Sequence, residues 1–188
     1  MNLFQRSPIA SPTAFDQLYQ HNRLAVFRYI YGLTGGPPED VEDLTAETFL
    51  RAWKARHRFD GDSSGATGWL IRIAKRLVID AYRRNSTRPT LPLNTDLPSG
   101  ALPEDISEAN DQAQRLFDLL AGLPERPREI VVLRYLLAWP VADIARHLET
   151  SENNVSVTLH RALASLRQHW QTSEPQEYTA ALAAEEKI

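Results

Sequence analysis

"WLIRIAKRLVIDAYRRN", residues 69–85, sets the architecture of this chain. Leu70, Ile73, Ala74, Leu77, Val78 and Ala81 recur at i, i+3, i+4, i+7, i+8 and i+11. That period puts them on one stripe of an α-helix, to be buried against neighbours. Arg72, Lys75, Arg76, Arg83 and Arg84 fall off the stripe, and Asp80 is the one acid beside them. Arg76, Asp80 and Arg84 are spaced for internal pairing. An ordinary solvated face has this character too. The imbalance of sign, continued by Arg88, favours a patch that meets phosphate or base edges.

Helical patterns flank this segment. Residues 13–34 place Phe15, Leu18, Tyr19, Val26, Phe27, Ile30 and Leu33 at helical spacing. "GGPPED" (35–40) breaks that run: Gly35 and Gly36 end a helix, and Pro38 suits the first turn of the next. Glu39, Asp40, Glu42 and Asp43 suit the positive end of a helix dipole. This second helix should reach about Arg56. "HRFDGDSSGATG" (57–68) reads as a loop from its Gly, Ser and Asp content.

Beyond Ser86 the helical period dissolves. "STRPTLPLNTDLPSGALPEDIS" carries prolines at 89, 92, 98 and 103 and reads as an interdomain linker, the other reading being an ordered loop across a single domain. Helices resume near Asp111 with "AQRLFDLLAGL", then "REIVVLRYLLA", "VADIARHL" and "SENNVSVTLHRALASLR" (151–167). No alternating strand pattern of useful length occurs. The expected fold is all-α: a bundle over 12–88, a Pro-rich linker over 89–108 and a smaller bundle over 109–172, with a tail over 173–188.

Bulk composition narrows the function. The chain has 188 residues, 43% hydrophobic and 24% charged, which fits one medium or two small globular domains. A net charge of −3 means that any nucleic-acid role rests on local patches. There is no cysteine, hence no disulfide or thiolate metal site. The start lacks a signal-peptide core and no apolar run reaches a membrane span, so the expected location is the cytoplasm, without membrane insertion. Histidines 21, 57, 147, 160 and 169 have no metal-ligand spacing, and no phosphate loop or nucleophile elbow is present. Acids at 39–47 lack a partner cluster elsewhere. No catalytic residue, metal or cofactor is therefore expected. His147 reads as a surface or capping residue.

The last two helices read as a helix-turn-helix. Ile144, Ala145 and Leu148 face inward from the first, Val155 and Leu159 from the second, across the short turn this motif needs. A small structural hairpin would share that pattern. The helix "PEDVEDLTAETFLRAWK" has the opposite character: Asp40, Asp43, Glu47, Leu50 and Lys54 share one face, Val41, Thr45, Thr48, Phe49 and Ala52 the other. An apolar residue among exposed acids suits a protein-docking surface, though scattered exposed leucines are normal. Phosphate would repel it.

Together, "EDVEDLTAETFLRAWK", "GWLIRIAKRLVIDAYRR" and "LPERPREIVVLRYLLAWPVADIARHL", in this order, resemble an extracytoplasmic-function (ECF) sigma factor over about residues 12–172. The resemblance implies a sigma-2-like first bundle and a sigma-4-like second one. It implies a non-enzymatic promoter-specificity subunit whose partners are core RNA polymerase (the β′ coiled coil and β), promoter DNA and an anti-sigma factor. Asp40, Asp43, Glu47 and Leu50 would dock on polymerase. The loop with Arg58, Asp60, Ser63 and Ser64 would capture a flipped minus-ten base. Arg72, Lys75, Arg76, Arg83 and Arg84 would read and melt the minus-ten element. Asn153, Asn154, Ser156, Thr158, His160 and Arg161 would read the minus-thirty-five element.

This chain departs from the family pattern in its second half. Glu149 stands where the turn usually has glycine, and Pro140 where a serine usually caps. Ser156, Thr158 and Leu163 stand at positions often basic; in the first bundle, Arg76 replaces a common asparagine. The last helix carries only Arg161, Arg167 and His160 as cationic groups, with Glu152 opposing them. Such a helix can serve if polymerase tethers it at high local concentration. Two other functions fit parts of the chain. One is an autonomous helix-turn-helix regulator, against which the basic and acidic faces of the first bundle argue. The other is a sigma mimic that sequesters an anti-sigma factor.

Overall fold

The computed structural model describes residues 7–61, 65–86 and 110–172. The linker and tail expectations, and Ser63 and Ser64, lie outside them; Ser86 is the last residue of a helix. All regular structure among the described residues is helical.

Helix α1 spans Pro12–Thr34. Ser11 caps it, its Oγ accepting from the Ala14 N–H at 3.1 Å, and Pro12 occupies the first turn, where no N–H is needed. Gly35 ends it in the left-handed region at φ 57°, its N–H bonded to the Tyr31 carbonyl. Helix α2 spans Pro38–Ala55 and runs into a 3₁₀ turn, Arg56–Arg58. Helix α3 spans Ala66–Ser86 and so begins before Trp69, the expected start. Ala66 is fully buried, and the Thr67 hydroxyl donates to Asn22 Oδ1 of α1 at 2.6 Å. These contacts draw the first turn of α3 onto α1.

The three helices enclose Val26, Ile30, Val41, Phe49, Ala52, Leu70, Ile71 and Ala74. Edge-on pairs Phe15–Trp53 and Tyr19–Phe49 close one end. Of the expected stripe of α3, Leu70, Ala74 and Leu77 are buried and Ile73, Val78 and Ala81 half-buried; Ile71 joins the core because α1 and α2 flank the helix on both sides.

The second bundle holds α4 (Asn110–Ala121), α5 (Glu125–Val131), α6 (Val141–His147) and α7 (Glu152–Thr172). Helix α5 widens into a π-helical stretch, Val132–Leu136, where the Leu137 N–H reaches back to the Val132 carbonyl. Ala138, at φ 56°, then turns the chain, and Arg134 Nη1 braces the turn by donating to the Trp139 carbonyl at 3.0 Å. Leu120, Ile130, Leu133, Ile144, Ala145, Val155 and Ala162 form the interior.

The two bundles pack on each other and share one continuous apolar core. Tyr31 of α1 meets Phe117 of α4 edge-on, with ring centroids 4.2 Å apart. Arg128 Nη1 donates to the Leu33 carbonyl at 2.8 Å, capping the end of α1, while Nη2 donates to the Ala121 and Leu123 carbonyls. Burial lowers the pKa of this guanidinium. The sequence carried no expectation of this packing.

Candidate nucleic-acid interface

The outward face of α2 stays open. Val41, Thr45, Thr48, Phe49 and Ala52 are buried as their spacing required, so Asp40 and Asp43 stand exposed and Leu50 is 46% exposed. The stripe is less acidic than the sequence suggested. Arg51 Nε donates to Glu47 Oε1 at 2.8 Å, and Arg51 Nη1 lies 3.9 Å from Asp80 of α3. Both pairs are well exposed and contribute little to stability.

Between α2 and α3 the chain is pinned by Phe59, buried against Trp69 with centroids 5.0 Å apart. A Cβ on Gly61 would lie 2.7 Å from the Phe59 ring, so this position needs glycine for space. Arg58 and Asp60 flank Phe59 and are exposed. They open onto a cleft of about 700 Å³, with Trp69 and Arg72 on one wall and Trp139, Asp143, Arg146 and His147 of the second bundle on the other.

The basic face of α3 divides in two. Arg72 and Arg76 are exposed, and no ion pair holds either among the described residues. Arg83 and Arg84 are exposed in the last turn, where cations suit the helix dipole. Lys75 departs from the expectation of a solvent-facing cation. Its ammonium lies 2.6 Å from Glu129 Oε2 and 4.0 Å from Glu125 Oε1, both on α5. The expected Arg76–Asp80–Arg84 ladder does not form as carboxylate pairs: Arg84 Nε donates to the Asp80 backbone carbonyl, and the Asp80 carboxylate lies toward Arg51.

His147 is a second correction. It is half-buried rather than a surface cap, edge-on to Trp139 with centroids 5.1 Å apart. Gly68 of α3 faces both rings: a Cβ there would lie 3.6 Å from His147 Nδ1 and 3.7 Å from Trp139. Burial lowers the imidazole pKa and Arg72 lowers it further; Glu129 opposes them, and Lys75, the smallest influence, lowers it again.

The helix-turn-helix forms as α6, turn and α7. Ile144, Ala145, Leu148 and Val155 are buried, and Leu159 is half-buried. Pro140 precedes α6 without a side-chain cap. Glu149 takes the left-handed conformation at φ 53°, so the turn keeps the shape that glycine would favour. The Thr150 N–H bonds to the Ala145 carbonyl at 2.9 Å, and Arg126 Nη2 braces the turn through the Leu148 carbonyl at 2.8 Å. Ser151 caps α7, its Oγ accepting from the Asn154 N–H at 3.2 Å. Asn153, Ser156, His160 and Arg161 are exposed along α7, and Thr158 is half-buried. Asn154 is also exposed, but its amide donates to Thr150 Oγ1 at 2.9 Å and so belongs to the cap. Val157, outside the expected reading set, is exposed between Ser156 and Thr158. An apolar group there can meet a thymine methyl. Its signal was its place off the apolar stripe.

Both bundles match known families. Sigma-70 region 2 matches residues 18–88, and Sigma-70, region 4 matches residues 113–166. The ECF RNA polymerase sigma factor BldN of Streptomyces coelicolor is 31% identical over 169 residues, covering 88% of this chain and 64% of BldN. Thus the chain spans just under two thirds of that relative. SigL of Mycobacterium tuberculosis, likewise an ECF RNA polymerase sigma factor, is 31% identical over 153 residues, covering 80% of this chain and 85% of SigL. Among solved structures, CnrH in complex with the cytosolic domain of CnrY superposes with a TM-score of 0.67 at 25% identity, over 87% of this chain and 92% of CnrH. The sigma factor RpoE of Bartonella quintana, in complex with the anti-sigma factor NepR, shares the fold at a TM-score of 0.61 and 16% identity, over 85% of this chain and 98% of RpoE.

Proposed function

Because this chain belongs to the ECF RNA polymerase sigma factors, the promoter-specificity subunits of the bacterial enzyme, we propose how its surfaces divide that work. The exposed face of α2, with Asp40, Asp43, Glu47 and Leu50, docks on the β′ coiled coil of core polymerase. The cleft at Arg58 and Asp60 takes a base from the minus-ten element, and Arg72 and Arg76 hold the adjoining backbone. Helix α7 reads the minus-thirty-five element through Asn153, Ser156, Arg161 and the apolar Val157. Polymerase supplies most of the phosphate contact, and these side chains supply choice. The chain itself carries no catalysis in this reading, and it works in the cytoplasm, where polymerase is.

One observation carries the reading: an acidic face with an exposed leucine, and a basic face on which Arg72 and Arg76 have no ion pair among the described residues, lie on neighbouring helices of one bundle. A self-sufficient DNA regulator has no use for the first. In-vitro transcription with core polymerase and genomic fragments tests it. Transcripts that depend on the added chain are expected. Tight, sequence-specific retardation of DNA without polymerase, and no transcripts with it, would support the autonomous regulator instead.

A further inference from the structure

Helices α1 and α7 differ in what they leave open. The C-terminal half of α1 is enclosed: the Tyr29 hydroxyl donates to the Glu129 carboxylate at 2.8 Å, and a Cβ on Gly32 would stand 2.7 Å from a γ-carbon of Val132. Helix α7 instead packs on α4, α5 and α6 along one stripe, Val155, Leu159, Ala162 and Leu166. Asn153, Val157, His160 and Ala164 repeat that spacing, and at about 3.6 residues per turn they form the opposite stripe. All four are exposed. Ser156 and Arg161 flank this outer stripe on opposite sides.

The outer stripe presents an amide, an isopropyl group, an imidazole and a methyl group, and neither lysine nor arginine. Guanine is read most often by arginine or lysine, which donate to its O6 and N7. Asparagine instead matches the donor and acceptor that adenine shows at N6 and N7, and an apolar side chain suits the 5-methyl group of thymine. The Asn153 amide has no hydrogen bond among the described residues, whereas that of Asn154 is held by Thr150. Val157, 39% exposed, is the largest apolar side chain on the stripe. Its branching does nothing for the helix, in which alanine would serve better. Both residues lie in the first two turns of α7, the part of a recognition helix that reaches base edges. They stand about 6 Å apart along the axis, just under two base-pair steps of about 3.4 Å.

We propose that Val157 is a specificity-determining residue, packing on the 5-methyl group of a thymine in the major groove, and that Asn153 pairs with an adenine about two base pairs away. The centre of the minus-thirty-five element is then built of A·T pairs, chosen with no cation on the base edges. The inference rests on α7 as the reader of that element.

Promoters are first taken from the transcripts that core polymerase makes with the full chain. Each thymine of the minus-thirty-five element is then replaced singly by deoxyuridine, which removes one methyl group and nothing else from the groove. One replacement should weaken holoenzyme binding about fourfold, as expected for one buried methyl group. Val157→Ala, which withdraws both γ-methyl groups, should lose a similar factor on the thymine promoter and be nearly indifferent to that replacement. Alanine suits an exposed helix position, so this variant folds. Val157→Thr, which keeps one γ-methyl, should keep part of the response. Asn153→Ala should lose at least about fivefold of the preference for adenine over guanine at one neighbouring pair. A wild-type holoenzyme indifferent to every deoxyuridine, or a Val157→Ala variant that keeps the full response, would overturn the proposal. Transcription that needs the element but ignores its methyl groups sinks this inference alone. If scrambling the whole element leaves transcription unchanged, or if no transcript depends on the chain, the reading of α7 fails and the inference falls with it.

Discussion

On the first bundle, α2 and α3 each turn one face away from the shared core, and the two faces fare differently. The acids of α2 look into open solvent with Leu50 among them. The cations of α3 do so only in part, since α5 and α6 of the second bundle cover Lys75 and face Arg72 across a cleft. Helical period identifies the residues that avoid a helix's own bundle. It does not say whether a distant segment covers them afterwards. Lys75 and Arg76 are adjacent in sequence and equally off the stripe, yet one is held by a buried carboxylate and the other is exposed.

The sharpest way to break this contrast is to remove the carboxylate. Glu129→Ala should lower the unfolding free energy in urea by about 3 kcal/mol, because it leaves Tyr29 and Lys75 without their partner in a closed seam. A loss below about 1 kcal/mol would place this contact with ordinary surface pairs. The acidic face should respond in the opposite way. Asp43→Arg with Glu47→Arg should weaken core-polymerase binding about tenfold, or about 1.4 kcal/mol. Stability should shift by only about 0.5 kcal/mol, since both are surface positions; unchanged affinity in the folded variant would remove α2 as the docking face.

Subtler changes sharpen the comparison. Arg72→Ala with Arg76→Ala should reduce the slope of log promoter affinity against log salt by about 1.8, if each guanidinium holds one phosphate. Permanganate footprints should show less opening, and a normal footprint with an unchanged slope would clear α3 of that role. Glu149→Gly should raise the unfolding free energy by about 0.5 kcal/mol, the relief at φ 53° outweighing the entropy that glycine gains when unfolded. The smallest expected effect is that of His147. Its folded pKa lies below the ordinary value, so the unfolded chain takes up the proton first as pH falls. Stability is full above about pH 6.5 and declines as pH drops from there toward the folded pKa. Denaturation curves of His147→Phe should lack that decline.

Much of the architecture was legible before any coordinates. Gly35, the acid-rich start of α2, the stripe of α3 and the inward set of the helix-turn-helix all follow from local patterns, and the structure places them accordingly. Glu149 was less so: the loss of glycine pointed to a turn of different shape, yet the turn is kept, with Glu149 itself left-handed. Glu129 was not. It precedes "IVVL" and reads as an ordinary acid near a helix start, while the hydroxyl it accepts from lies 100 residues away. Local period carries nothing across that distance. One signal was present all the same: "VFRYIYG" (26–32) is apolar or aromatic around almost the whole helix, which calls for neighbours on every side. The π-helical stretch and the Ala138 turn have no such trace, because they arise from how α5 meets α6. The site was legible in its residue types and much less in its accessibility, as Lys75, His147 and Asn154 show.

Gly32 bears on how freely the halves of such a chain can be recombined. In a first bundle cut loose from its partner, alanine there should be harmless or even welcome, since it improves the helix. In the whole chain the same methyl meets Val132 at 2.7 Å. A chimera that joins this first bundle to a foreign second one therefore inherits a socket shaped for a particular knob. Its success should depend on the side chain the newcomer brings to the place of Val132, and swaps judged on isolated halves would miss that dependence altogether.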